Sequence, residues 1–137
     1  MAAPAFTAQD LLGGTVRLAD FKGKVVVLDF WATWCGGCKE ELPAFSALER
    51  SYAKQGLVVV GASVDTSWGV VRPFLAQIKP NYTMVLAGPT MQKAYGIANM
   101  PNTFIIDREG RIAAAYRAAL VNPSNLRQHV QALLHER

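Results

Sequence analysis

Val25-Val26-Val27-Leu28-Asp29-Phe30 leads directly into Trp31-Ala32-Thr33-Trp34-Cys35-Gly36-Gly37-Cys38-Lys39-Glu40-Glu41-Leu42-Pro43. The first six residues are β-branched or apolar except for one aspartate, the pattern of a strand buried on both faces. From Cys38 the apolar positions run Leu42, Phe45, Leu48 and Tyr52, which is helical spacing, with Pro43 expected to bend the helix. A buried strand feeding an amphipathic helix is the opening unit of an α/β sheet. The chain has two cysteines, and both fall at this junction.

The same alternation continues on either side. Upstream, Phe6 to Leu18 reads as a short N-terminal piece, with Gly13-Gly14 as its turn and Thr15–Leu18 as a small strand. Downstream, Gly56 is expected to end the first helix, and Leu57–Ala62 reads as a second buried strand. Val71, Phe74, Leu75 and Ile78 mark a second amphipathic helix. Thr83–Leu86 reads as a strand and Thr90–Tyr95 as a short helix. Thr103–Ile106 and Arg111–Arg117 form a hairpin about the turn Asp107-Arg108-Glu109-Gly110. Asn122 caps a last helix with Pro123 at its first position and Leu126, Val130, Leu133 and Leu134 on its buried face. The expected fold class is α/β, a mixed central sheet with helices on both faces, formed by one domain over residues 1–137.

Composition closes off other classes. Fourteen Lys plus Arg against ten Asp plus Glu give a net charge of +4 on 137 residues, 51% of them hydrophobic. The basic residues are scattered, without a run or an aromatic-interleaved stripe, so nucleic acid is not expected as a partner. The longest apolar runs, Val25–Phe30 and Leu57–Ala62, are far short of a membrane span. The opening Met-Ala-Ala-Pro lacks the basic and apolar regions of a secretory signal. Two expectations remain: a cytoplasmic protein, or one whose signal or anchor has been removed.

The dithiol carries the chemistry. Residues three apart in a helix lie about 5 Å from each other, within the window a disulfide accepts. Cys35 at the helix start faces free N–H groups and the positive end of the dipole, which stabilise a thiolate. Cys38, one turn further in, is sheltered and placed to attack a mixed disulfide on Cys35. Competing readings are a structural zinc site, two core cysteines, or an adventitious pair. Zinc would need two further ligands, and His129 and His135 lie on the last helix as expected surface residues. Gly36-Gly37 between the cysteines and Trp34 before them make poor core.

Phe30 to Pro43 resembles the thioredoxin superfamily, and is most similar to its extracytoplasmic TlpA/ResA-like branch, which serves cytochrome c maturation and other periplasmic thiol reduction. The similarity extends through Leu18-Ala19-Asp20-Phe21-Lys22-Gly23-Lys24, an added strand–helix segment at about Ser63–Leu86, and Met100-Pro101-Asn102-Thr103-Phe104-Ile105-Ile106-Asp107. It implies a thioredoxin fold with an N-terminal β extension and that inserted segment. It also implies thiol–disulfide exchange through a redox-active Cys35–Cys38 disulfide, without another cofactor and without metal. Implied partners are protein thiol or disulfide substrates and a thiol electron-donor protein, with the chain a monomer. The implied location is periplasmic or otherwise extracytoplasmic, and the implied direction is reduction. Two positions depart from the family pattern: Gly37 stands where Pro usually precedes the second cysteine, and Met100 precedes Pro101 in place of a smaller or β-branched residue.

The resemblance also assigns residues. Asp29 matches the buried acid of thioredoxin, a proton acceptor for Cys38 through water whose pKa burial should raise; the alternative is a strand-end acid turned to solvent. Glu41 matches an acid beside the active site in the ResA-like branch, against the alternative of a solvated helix charge, which suits Glu40 better. Pro101 is implied to follow a cis bond, although cis is only about one in twenty X–Pro bonds in folded proteins. Met100 and Pro101, with Trp34, Gly36 and Gly37, are the expected substrate-docking surface, and Trp31 and Trp34 are first of all expected to pack. Trp68 has no assigned role. Two other function classes stay open, a thiol peroxidase and a non-catalytic binding module. The peroxidase motif needs Pro and Thr at set spacing before its cysteine, and here Thr33 lies two before Cys35 with no Pro in Phe30-Trp31-Ala32.

Overall fold

A computed structural model describes residues 1–136. The strands are β1 (Thr7–Gln9), β2 (Thr15–Arg17), β3 (Val25–Trp31), β4 (Leu57–Ser63), β5 (Thr83–Leu86), β6 (Asn102–Ile106) and β7 (Ile112–Arg117). The α-helices are α1 (Gly36–Tyr52), α2 (Trp68–Ile78), α3 (Pro89–Ala94) and α4 (Pro123–His135). β1 and β2 form a two-stranded antiparallel sheet, while the main sheet runs β5-β4-β3-β6-β7. β3, β4 and β5 are parallel, and β6 and β7 antiparallel to their neighbours. This is the expected mixed α/β sheet.

β3 lies at its centre, and all seven of its residues are buried. The pleat divides them. Val25, Val27 and Trp31 join a cluster with Leu42 and Phe45 of α1, Val71 of α2 and Val130 of α4. Val26, Leu28 and Phe30 join the opposite cluster with Phe6 and Val16 of the N-terminal hairpin and Met91 of α3. On that second face Tyr95 meets Phe30 and Phe104 at ring-centroid distances of 5.3 and 5.2 Å. The N-terminal hairpin is attached to the sheet edge through an Asp10–Val85 bridge and the Leu11 N–H, which donates to the Met84 carbonyl at 3.2 Å.

The local signals act as their chemistry requires. The Asn122 side chain accepts from the N–H groups of Ser124 and Asn125 at 2.9 and 3.1 Å, capping α4 above Pro123. In the β6–β7 turn, Asp107 Oδ1 accepts from the N–H groups of Glu109 and Arg111, both at 2.9 Å. Arg111 forms an isolated antiparallel bridge with Ala2, and β7 begins at Ile112. Two other ends also move inward. α1 stops at Tyr52, and a 3-10 turn (Ala53–Gln55) carries the chain to Gly56 at φ 104°. β2 stops at Arg17 because Leu18 opens another 3-10 turn.

Register positions the site. Phe30 pairs with Asn102, so the segment ending at Pro101 and the segment after Trp31 leave the same end of the sheet. Beside Asp29 the register sets Gly61 on one side and Thr103 on the other. A Cβ on Gly61 would lie 2.6 Å from Met84 Sδ and 3.1 Å from Tyr82 Cε2, so this glycine admits two large side chains over the sheet next to Asp29. Gly61→Ala should destabilise the fold by about 1–3 kcal/mol through overpacking, read as a lower urea midpoint with an unchanged slope.

Candidate functional site

Cys35 ends the crossing from β3 and serves as the N-cap of α1, in extended conformation at φ −94° and ψ 107°. Its Sγ accepts from the Cys38 N–H at 3.3 Å, a sulfur occupying the place of the usual oxygen cap. Cys35 and Cys38 are joined as a disulfide, with Cα atoms 5.3 Å apart. Cys38 is wholly buried, whereas Cys35 is partly exposed. Of the pair, only the first presents sulfur to a large reactant, and the free N–H groups there favour its thiolate.

The expected packing role holds for Trp31 and fails for Trp34. Trp31 has no exposed surface and lies 5.4 Å from Phe74, centroid to centroid. Trp34 is 69% exposed, because the chain has left the sheet and the helix has not yet begun. Gly36 has open space above it. Gly37 does not: a Cβ there would meet Leu120 Cδ2 at 2.9 Å.

The Met100–Pro101 bond is cis. Pro101 is buried and Met100 half-buried, packed among the residues that bridge the two core clusters. The Pro101 carbonyl accepts from the Ala119 N–H at 3.2 Å. Asn102 ties the loop down at both ends, its amide donating to the Asn99 carbonyl and its Oδ1 accepting from the Ala118 N–H at 3.0 Å. Neither Asn102 nor Leu120 stands out in the sequence, since an Asn after Pro and a Leu in a loop are unremarkable by type.

Both candidate acids are buried. Asp29 has no exposed surface and neither carboxylate oxygen has a hydrogen-bond partner. Burial drives its pKa well above the ordinary range, with Glu41 adding to the rise; the neighbouring Thr103 hydroxyl, which falls short of hydrogen-bond geometry, opposes it only weakly. Glu41 is 7% exposed; its Oε2 accepts from the Val121 N–H at 2.7 Å and its Oε1 has no partner. Burial raises its pKa as well, against the lowering effect of the Val121 bond. Solvent exposure is thereby excluded for both, and Glu40 is the exposed charge. Tyr82, not singled out by sequence, adds a buried hydroxyl without a partner, its pKa pushed up by burial and then by Asp29 and Glu41. Also unforeseen is Asp65, a buried carboxylate hydrogen-bonded to Thr33 and Ser63. Its one signal is position, an acid two residues past an apolar strand.

His129 is half-buried and His135 exposed on α4. Trp68 opens α2, its ring 5.7 Å from the Arg72 guanidinium. Among the described residues, no group of three or more His, Cys, Asp or Glu is arranged to hold a metal ion, and no helix is long and apolar enough to cross a membrane.

A family model described as AhpC/TSA matches residues 1–115. The thiol-disulfide oxidoreductase ResA of Geobacillus thermodenitrificans is 31% identical over 132 residues, covering 96% of this chain and 75% of that protein. ResA of Bacillus thuringiensis subsp. konkukian is 34% identical over 111 residues, 80% of this chain, and the aligned part spans 64% of its length. Among solved structures, a Chlorobium tepidum protein designated thiol:disulfide interchange protein DsbE superposes with a TM-score of 0.89 at 33% identity. That likeness covers 97% of this chain and 95% of the other.

Two outcomes follow from the burial here. Because the folded pKa of Asp29 is raised, the stability it contributes is complete below its unfolded value near pH 4 and declines as pH rises through the raised one. Asp29→Asn should abolish that decline, so that urea stability of the variant overtakes wild type toward alkaline pH. For Gly37, replacement by Ala gains up to about 1 kcal/mol of helix propensity but must displace Leu120. A double-mutant cycle should therefore find Gly37→Ala more stabilising with Leu120→Ala than alone.

Proposed function

Because the chain belongs to the AhpC/TSA family of the thioredoxin superfamily and has its fold, we propose that it is a thiol–disulfide oxidoreductase reducing protein disulfides outside the cytoplasm. The observation that carries this reading is the asymmetry of the pair, with Cys35 reachable at a helix N-terminus and Cys38 buried one turn behind it. The names of the relatives, ResA and DsbE, accord with it. Within it, a role of cytochrome c maturation type or in general periplasmic thiol reduction is the finer reading that the branch resemblance supports. The chain acts as a monomer of one domain, with a dithiol protein as its electron donor and no cofactor beyond its own disulfide.

In the reducing direction the Cys35 thiolate attacks a substrate disulfide. A sulfur–sulfur bond forms to Cys35 while the substrate bond breaks and one substrate sulfur leaves as thiolate. Cys38 then gives up its proton and attacks Cys35 Sγ, closing the Cys35–Cys38 disulfide and releasing the second substrate sulfur. The substrate gains two electrons, and the donor dithiol restores them to the enzyme. Asp29 and Glu41, held with raised pKa values behind the pair, are the groups assigned to take the Cys38 proton. An extended substrate segment pairs with the backbone at Met100, beside Pro101, and rests on Trp34, Gly36 and Gly37. Half-buried Met100 offers it a flexible apolar contact. The Thr33 hydroxyl donates to Asp65 at 2.8 Å, which weighs against the peroxidase alternative.

Cys38→Ser should accumulate a mixed disulfide with a protein or glutathione, detected by mass, and Cys35→Ser should not. Trapping by the opposite variant reverses the roles, and retained biological effect in the double Cys→Ala variant favours a binding module. Equilibration with dithiothreitol should give a potential near thioredoxin's, about −270 mV, and a value near about −120 mV, as in DsbA, overturns the reductant assignment. Asp29→Asn should slow resolution at neutral pH in single-turnover mixing, and wild-type rates across about pH 5 to 9 would remove Asp29 from the mechanism.

A further inference from the structure

We infer that Asp65 is a positioning residue for the reactive thiol: its carboxylate holds the Thr33-Trp34-Cys35 turn and thereby sets Cys35 Sγ at the N-terminus of α1. The inference rests on the proposed exchange reaction. Asp65 lies just beyond β4 and is 8% exposed, next to fully buried Ser63. Its Oδ2 accepts from the Thr33 N–H at 2.9 Å and from the Ser63 hydroxyl at 2.8 Å, and its Oδ1 accepts from the Thr33 hydroxyl at 2.8 Å. The Ser63 hydroxyl oxygen in turn accepts from the Asp65 N–H at 3.0 Å, and the Val64 N–H donates to the Trp31 carbonyl at 2.8 Å.

Both polar groups that Thr33 can offer as donors are therefore taken by one carboxylate just beyond the neighbouring strand. Hydrogen bonds to such an acceptor are about twice as strong as neutral ones. Thr33 is the second residue of the turn that the Cys35 N–H closes on the Ala32 carbonyl at 3.1 Å. Little else holds this turn. Trp34 is 69% exposed and contributes little packing, and neither Gly36 nor Gly37 carries a side chain that could brace it. While the disulfide is closed, the covalent bond fixes Cys35. Once it opens, Cys35 Sγ retains its place at the Cys38 N–H through the backbone of residues 32–35, which Asp65 grips from outside.

Positioning makes a prediction opposite in sign to simple charge. A carboxylate near a thiol disfavours the thiolate, so deleting its charge alone would lower the Cys35 pKa. Loss of position moves the sulfur off the helix N-terminus, raises the pKa and slows attack. Asp65→Asn tests this well, because it keeps the side-chain shape and turns an amide NH2 toward one of the donors it now accepts from.

The experiment is carried out on the dithiothreitol-reduced protein with iodoacetamide, following Cys35 alkylation as a function of pH, alongside thermal melts. This readout does not depend on the physiological reaction, so failure of the proposed function leaves it intact. Asp65→Asn should raise the apparent Cys35 pKa and slow alkylation at pH 7 by roughly tenfold, with a matching fall in exchange rate. Thr33→Val, which deletes one of the bonds, should show the same direction at about threefold, and Thr33→Ser, which keeps both donors, should be close to wild type. A lowered pKa with faster alkylation would mean that the carboxylate acts only through charge. A lowered melting temperature with unchanged alkylation and exchange well below the melt would mean that it acts only on the fold. Either result overturns the proposal, and if Asp65→Asn does not fold, the Thr33 pair decides by the same criteria.

Discussion

Unsatisfied N–H groups at the start of α1 are the constraint on which the rest of this site depends. A helix leaves its first N–H groups without internal partners, and most helices satisfy one of them with a Ser, Thr, Asp or Asn oxygen. Here Cys35 Sγ takes that position at 3.3 Å from the Cys38 N–H. The cap is also the sulfur that does chemistry, so the geometry that completes the helix is the geometry that stabilises a thiolate. It follows that β3 must deliver the chain to this point without latitude. A strand buried along its whole length, with neighbours in register on both sides, provides that rigidity.

Behind the dithiol the core accepts a cost that most cores avoid. Asp29 is fully buried without a hydrogen bond, and Glu41 and Tyr82 each keep a buried oxygen without a partner. An ionised carboxylate in such surroundings is expensive, and burial raises both pKa values, so each acid binds a proton more tightly than an exposed carboxylate does. The two acids also act on each other, since a charge on Glu41 raises Asp29 further. A proton is thus held more tightly by one acid when the other is ionised, which couples the acids as a pair. Gly61 is part of the same arrangement, because a Cβ there would crowd Met84 Sδ and Tyr82 Cε2 in the strand position beside Asp29.

Much of this was legible in the residues. Apolar periodicity located β3, β4, β5 and α2, and the Asn122-Pro123 pair placed the start of α4, because those signals are local and the tertiary structure reinforces them. The dithiol was legible for the same reason, since both cysteines lie within one turn. Element ends were less so: Arg111 and Leu18 were assigned to strands but are taken by an isolated bridge to Ala2 and a 3-10 segment, contacts that periodicity does not encode. The packing expected of Trp34 fails although tryptophan usually packs, because its exposure depends on the chain leaving the sheet just there. Asp65, Asn102 and Leu120 were missed altogether. Each acts across the fold on a partner that is 32, 16 or 83 residues away in sequence, and no local pattern marks such a meeting.

Asp65, Asn102 and Glu41 share a physical logic. The segments 32–35, 99–101 and 118–121 emerge at one end of the sheet, and each is held by a side chain that is not part of the dithiol. Asp65 grips the first, Asn102 the second and the start of the third, and Glu41 the end of the third through Val121. Ala118 adopts φ 53°, a left-handed conformation unfavourable for alanine, and its N–H bond to Asn102 is one of the contacts holding it there. Opening or closing a disulfide changes only one covalent bond in the whole molecule. If that bond were also what ordered the surrounding loops, the reduced protein would lose the surface that a substrate must meet. Anchoring the loops through Asp65, Asn102 and Glu41 separates the two tasks, because none of these hydrogen bonds involves either sulfur.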